Sequence, residues 1–184
     1  LVKLRELGED MSALQSLEKS LDEIFVKKAP ALPEGGKKAL VEYLPWINLI
    51  LGVLTLYSAY VIWHWAHLAS KYIDYANTLS AAYGGPSVAS VNRLSTGIWL
   101  GLGVLVVEAV LYLLAFPATR ARKKAGWDLM FYAALVNVAY GVVILFTTYG
   151  GPSNLIGSII GSAIGLYLLF QIRSSYSSKS AASK

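Results

Sequence analysis

The chain has 184 residues, of which 55% are hydrophobic and 15% charged, and its mean hydropathy is +0.52; this balance belongs to the membrane class and excludes an ordinary soluble domain. With no cysteine, a disulfide framework, a thiolate metal site and thiol catalysis are excluded. The formal charge of +5 and the pI near 9.3 come from Lys and Arg in short blocks beside apolar stretches, which suits anionic lipid headgroups and argues against nucleic acid as a partner.

Residues 1–10 lack the basic region and apolar core of a secretory signal peptide, and Met11 is a candidate native start. The segment 1–36 reads as cytoplasmic. Leu14, Leu17, Leu21, Ile24 and Phe25 form one apolar helical face, Ser12 and Gln15 have the spacing of a capping box that would start the helix, and Glu18, Lys19, Asp22 and Glu23 lie opposite. A lone amphipathic helix cannot bury its stripe, so the apolar face must pack under the membrane domain, dock on a partner or lie on the bilayer; the mixed charge favours the first two. Pro30, Pro33, Gly35 and Gly36 then break the chain.

Crossing about 30 Å of hydrocarbon at about 1.5 Å per residue takes roughly 20 apolar residues. Four stretches qualify, near 44–66, 95–116, 127–147 and 154–172. The expected fold is therefore an all-α membrane bundle of four spans over 37–172, built as two tandem hairpins, 37–116 and 123–172, with a disordered tail over 173–184. Lys27, Lys28, Lys37 and Lys38 precede the first span, Arg120, Arg122, Lys123 and Lys124 separate the second from the third, and Arg173, Lys179 and Lys184 follow the fourth. Those three regions are expected to be cytoplasmic, because basic residues stay inside. The other side carries only Lys71 and Arg93. Trp46 and Trp127 would mark the inner boundary; Trp63, Trp65, Trp99 and Tyr149 would mark the outer one.

Beyond the first span, Leu68, Tyr72, Tyr75 and Leu79 continue a helical stripe, which predicts that the first helix extends or bends past the membrane. The pentapeptide Tyr83-Gly-Gly-Pro-Ser87 recurs as Tyr149-Gly-Gly-Pro-Ser153 between an outgoing and a returning span. Asn48 with Gly52 is echoed by Asn137 with Gly141. These matches suggest a duplicated hairpin, an arrangement compatible with transport and equally with simple retention of a helix-ending Gly-Gly-Pro turn.

The intramembrane polar candidates are Glu108, Asn137 and Asn48. An ionisable residue inside a span is a functional candidate by default, so Glu108 with Asn137 is either a proton or cation site or a structural interhelical hydrogen bond. His64 and His67 stand three apart at the outer end of the first span beside Trp63 and Trp65; they are either headgroup anchors or ligands of a haem or pigment metal, and nothing nearby completes a zinc site. Gly157, Gly161 and Gly165, with Ser158 and Ser162 beside them, and Gly97 with Gly101 repeat at four-residue steps that let helices approach closely, within the bundle or between copies. Phosphate loops, nucleophile elbows and two-histidine protease motifs are missing.

The stretch from Leu17 to Pro33, followed by Leu44-Pro-Trp46 entering a span, resembles the start of small uncharacterised bacterial four-helix membrane proteins. The resemblance implies a bacterial cell (inner) membrane and no particular activity. The expected function is a non-enzymatic accessory or scaffold subunit of a larger membrane assembly, without a cofactor, whose partners are the lipid bilayer and other membrane subunits or copies of itself. Two alternatives stay open: a small oligomeric transporter or channel using Glu108 and Asn137, and a haem- or pigment-binding subunit using His64 or His67.

Overall fold

The structure, a computed structural model, describes residues 2–87, 91–145 and 152–176, with side chains for 12–87, 97–145 and 156–176. Every element among them is helical: α1 (Val2–Asp22), a π-helical turn (Glu23–Lys28), α2 (Glu34–Ala82), α3 (Val91–Arg120), α4 (Lys124–Leu145), α5 (Pro152–Gln171) and a 3-10 turn (Arg173–Tyr176). Three helices, α2, α3 and α4, are long and apolar enough to cross a membrane, and the described apolar stretch of α5, Ile156–Gln171, is shorter. At most 28% of the most apolar window of any of the three is buried. Their apolar side chains, such as Ile50, Leu54, Val110 and Leu114, therefore form the outer surface, an exposure on a scale that marks contact with lipid or protein.

Helix α2 packs on α3, α3 on α4 and α4 on α5. Gly52 of α2 lies where a Cβ would come 2.8 Å from the Leu113 side chain of α3. At Gly126, in the first turn of α4, a Cβ would sit 2.6 Å from the backbone nitrogen of Thr119. Both glycines are therefore required by close approach. The end where α2 and α4 begin and α3 and α5 finish is called basal here. There Val41 and Leu44 meet Trp127, Phe131, Leu169 and Phe170 in one buried cluster, and the Trp127 indole Nε1 donates to the Leu169 carbonyl at 2.9 Å. Trp127 stacks on Phe131 at 5.4 Å and meets Phe170 edge-on at 5.2 Å.

At the other, distal end α2 stops through the first Gly-Gly-Pro turn. Gly84 has φ +72°, the Gly85 N–H bonds back to the Ser80 carbonyl at 2.8 Å, and the Ser80 hydroxyl donates to the Pro86 carbonyl at 2.7 Å. The second copy of that turn falls partly on residues 149–151, outside the described residues. The α3–α4 turn ends in a similar way, with Arg122 at φ 51° and the Lys123 N–H bonded to the Ala118 carbonyl.

Two expectations are corrected at the basal end. The amphipathic helix does not start at a Ser12 cap, because α1 already runs from Val2 and passes through Ser12. Nor does the chain lose structure at 173: Arg173–Tyr176 form a 3-10 turn, and Tyr176 is 1% exposed; residues 177–184 lie outside the described residues. The expected extension of the first span is present, since α2 continues unbroken to Ala82.

Candidate functional site

The polar residues singled out in the spans occupy two layers. In the basal layer Asn48 is fully buried, and its amide nitrogen donates to the Thr119 hydroxyl at 3.3 Å. That hydroxyl donates in turn to the Ala115 carbonyl at 2.7 Å, and the Asn48 side-chain oxygen has no hydrogen-bond partner among the described residues. This layer ties α2 to α3.

The middle layer is richer. Asn137 of α4 donates from its amide nitrogen to the Glu108 carboxyl of α3 at 3.2 Å, and its amide oxygen accepts from the Ser162 hydroxyl of α5 at 3.2 Å. Glu108 and Ser162 are each 7% exposed. One amide thus bridges three helices: Glu108 and Asn137 meet, and Ser162, which sequence reasoning placed only beside the glycines, is the third member. Interhelical hydrogen bonds of this kind contribute about 0.6 kcal/mol each in a membrane.

Asn137 stands between two open spaces. On one side a cavity of about 440 Å³ between α2, α3 and α4 is lined by Glu108, Tyr140, Ile62, Leu102 and the glycines Gly97 and Gly101. On the other a groove of about 650 Å³ between α4 and α5 is lined by Ser162, Tyr140, Gly157, Gly161 and Gly165. The glycine periodicity thus has a different meaning from the one expected within the chain. A Cβ at Gly157, Gly161 or Gly165 would meet nothing within 4 Å, and at Gly101 it would meet only the Tyr140 hydroxyl, at 3.0 Å. The glycines of α5 leave space; the tight approaches fall to Gly101, against the Tyr140 hydroxyl, and to Gly52 and Gly126.

His64 stacks with Tyr60 at 6.1 Å and His67 packs on Trp63 at 5.2 Å. His67 also lines a shallow pocket of about 300 Å³ with Lys71, Asp74 and Trp99. Among the described residues no group of three or more His, Cys, Asp or Glu side chains is placed to hold a metal ion.

The expected docking face is divided. Leu21 and Phe25 pack against the basal cluster, with the Phe25 ring 6.0 Å from Phe170, whereas Leu14, Leu17 and Ile24 stay exposed. What holds the segment down is a set of polar contacts to the end of α5. Arg173 pairs with Glu18 and with Asp22, the latter at 3.0 Å, while its guanidinium lies 5.3 Å from the centre of the Trp127 ring. Gln171 donates to the Phe25 carbonyl at 2.7 Å and accepts from the Leu32 N–H, and the Tyr167 hydroxyl donates to the Pro30 carbonyl at 2.7 Å. Glu18 and Asp22, expected on the solvent side, thus face the bundle. Their four-residue spacing was legible; their partner, Arg173, was read only as a tail charge.

No protein-family model, curated protein or solved structure compared with the chain matches it.

Proposed function

We propose that the chain crosses the bilayer four times, with the basal end cytoplasmic, and acts as a non-enzymatic accessory subunit that packs a helix of a neighbouring membrane subunit against α5. The open glycine face of α5 carries this reading. Gly157, Gly161 and Gly165 have the spacing of a helix-packing surface, yet a Cβ placed on any of them would meet nothing within 4 Å among the described residues. In a bilayer, where helices gain little from hydrophobic burial against one another, such a face is completed by close backbone contact with a second helix. The exposed residues Leu14, Leu17 and Ile24 offer a further contact on the cytoplasmic side. A cysteine at 161, in a chain with no native cysteine, should crosslink to a neighbouring subunit in native membranes, and Gly161→Leu should reduce the size of the gently solubilised assembly. Unchanged size and no crosslink would refute the reading.

A second reading, a small transporter, is favoured by a specific observation: the Glu108 carboxyl borders an open cavity instead of being closed off by its hydrogen bond to Asn137. Proton or cation flux in liposomes that disappears in a folded Glu108→Gln variant would establish it over the accessory reading.

A further inference from the structure

We propose that the cavity between α2, α3 and α4 binds an amphipathic organic cation, an amine or quaternary ammonium with an apolar body, whose charge pairs with Glu108. The assignment names the ligand class of the site on which the transport reading rests, and it is independent of assembly through α5.

Four observations lead there. The space, about 440 Å³, falls in the usual range of small-molecule sites, roughly 300–1,000 Å³. Most of its wall is apolar, with Ile62, Leu102, Leu105 and Ile144 supplied by three helices. Its acidic group is single and buried: Glu108 is 7% exposed, and one carboxyl oxygen takes the Asn137 amide. Finally, Gly97 and Gly101 line the same space without side chains of their own, between the apolar residues of α3, and the Tyr140 hydroxyl lies over Gly101.

Charge and shape select the ligand. A neutral apolar molecule would leave the carboxylate without an opposite charge, and an anion would face a like charge. A hard inorganic cation stripped of water wants about six oxygen ligands. Here the side-chain oxygens that line the space and are not already engaged by Ser162 belong to Glu108 and Tyr140, because the Asn137 amide presents its nitrogen to Glu108 and its oxygen to Ser162. An organic ammonium needs fewer polar contacts. One carboxylate neutralises it, Tyr140 offers it a hydroxyl oxygen, and Ile and Leu side chains cover its body.

The test uses the full chain in lipid nanodiscs, titrated calorimetrically with tetraphenylphosphonium against empty nanodiscs, and in parallel with tetraphenylborate, an anion of the same shape. Saturable binding of the cation alone is expected, retained in Glu108→Asp and weakened about tenfold or more in Glu108→Gln, as befits loss of a charge-assisted contact. Gly97→Leu, which fills the cavity and leaves the carboxyl in place, should also abolish binding, and it decides the matter if Glu108→Gln fails to fold. Absence of saturable binding by the wild type, equal binding of the anion, or unchanged binding in Gly97→Leu overturns the proposal. Liposome flux separates this site from the transport reading: Glu108-dependent proton flux without tetraphenylphosphonium binding overturns the organic-cation assignment alone, whereas binding without flux supports the site and removes the transporter.

Discussion

The two sets of glycines in this protein are chemically identical and structurally opposite. At the basal end Gly52 and Gly126 lie where a neighbouring helix touches them, and a single added carbon would collide with Leu113 or with the backbone of Thr119. On α5 the more regular series Gly157, Gly161 and Gly165 faces empty space. Small size permits close approach without compelling it; a neighbouring helix must be brought there by something else. At the base that is done by the aromatic cluster around Trp127 and by the short α3–α4 turn, whereas among the described residues no further helix packs on the glycine face of α5.

The largest effect that sharpens this contrast is expected at Gly126. Gly126→Leu must displace backbone at the α3–α4 turn, and a loss of about 3 kcal/mol or more of stability should appear as a lowered melting temperature in detergent. A melting temperature equal to wild type would mean that the basal contact is not tight.

Next comes Tyr176, whose buried hydroxyl has no hydrogen-bond partner among the described residues. Burial pushes its pKa from the ordinary 10.0 up to about 12, with Arg122 pulling weakly the other way. The folded state thus favours the neutral phenol. That stability is fully present below pH 10 and lost as pH rises through 12, an effect on the order of 2 kcal/mol. Tyr176→Phe should melt at least as high as wild type at pH 7, since it removes an unpaired polar atom, and should flatten the stability loss between pH 10 and 12.

A smaller change is expected from Arg173→Ala. The side chain is 37% exposed, so each ion pair contributes well under 1 kcal/mol, and with the contact to Trp127 the total is about 1–2 kcal/mol. Its signature is local: hydrogen exchange should accelerate over 12–28 while the spans stay protected. Uniform acceleration would show that the contact supports the whole bundle instead.

The smallest effect should come from Gly161→Leu in the isolated chain. Because nothing lies within 4 Å, its melting temperature as a monomer should stay within about 1 °C of wild type, even if the assembly dissociates. A large drop would place α5 in close contact inside the chain.

Helices and the buried polar pair were legible in the sequence because both are local or energetic signals. The apolar runs report helix length directly, and Glu108 and Asn137 are conspicuous where polar groups are costly. What the sequence did not reveal depends on which surface meets which. Glu18 and Asp22 look like a solvated face until Arg173, more than 150 residues later, is folded beneath them. Ser162 looks like one more small residue until Asn137 offers it an acceptor, and the glycine series looks like a contact because periodicity cannot say whether a neighbour is present. The Ser12 cap failed for a simpler reason: a favourable start signal does not end a helix already running through it.

Helix α2 runs 49 residues without interruption, about 73 Å at 1.5 Å per residue, and continues through Pro45 near its base. Such a rod converts small angles into large displacements. A change of about 5° in its tilt at the basal end moves the far tip by about 6 Å. Leu44, next to Pro45, belongs to the same buried cluster as Phe170, on which Phe25 of the amino-terminal segment rests. A small displacement of that segment is therefore geometrically enlarged at Tyr83, just past the far end of α2, and the molecule has the proportions of a mechanical lever with its fulcrum among the basal aromatic rings.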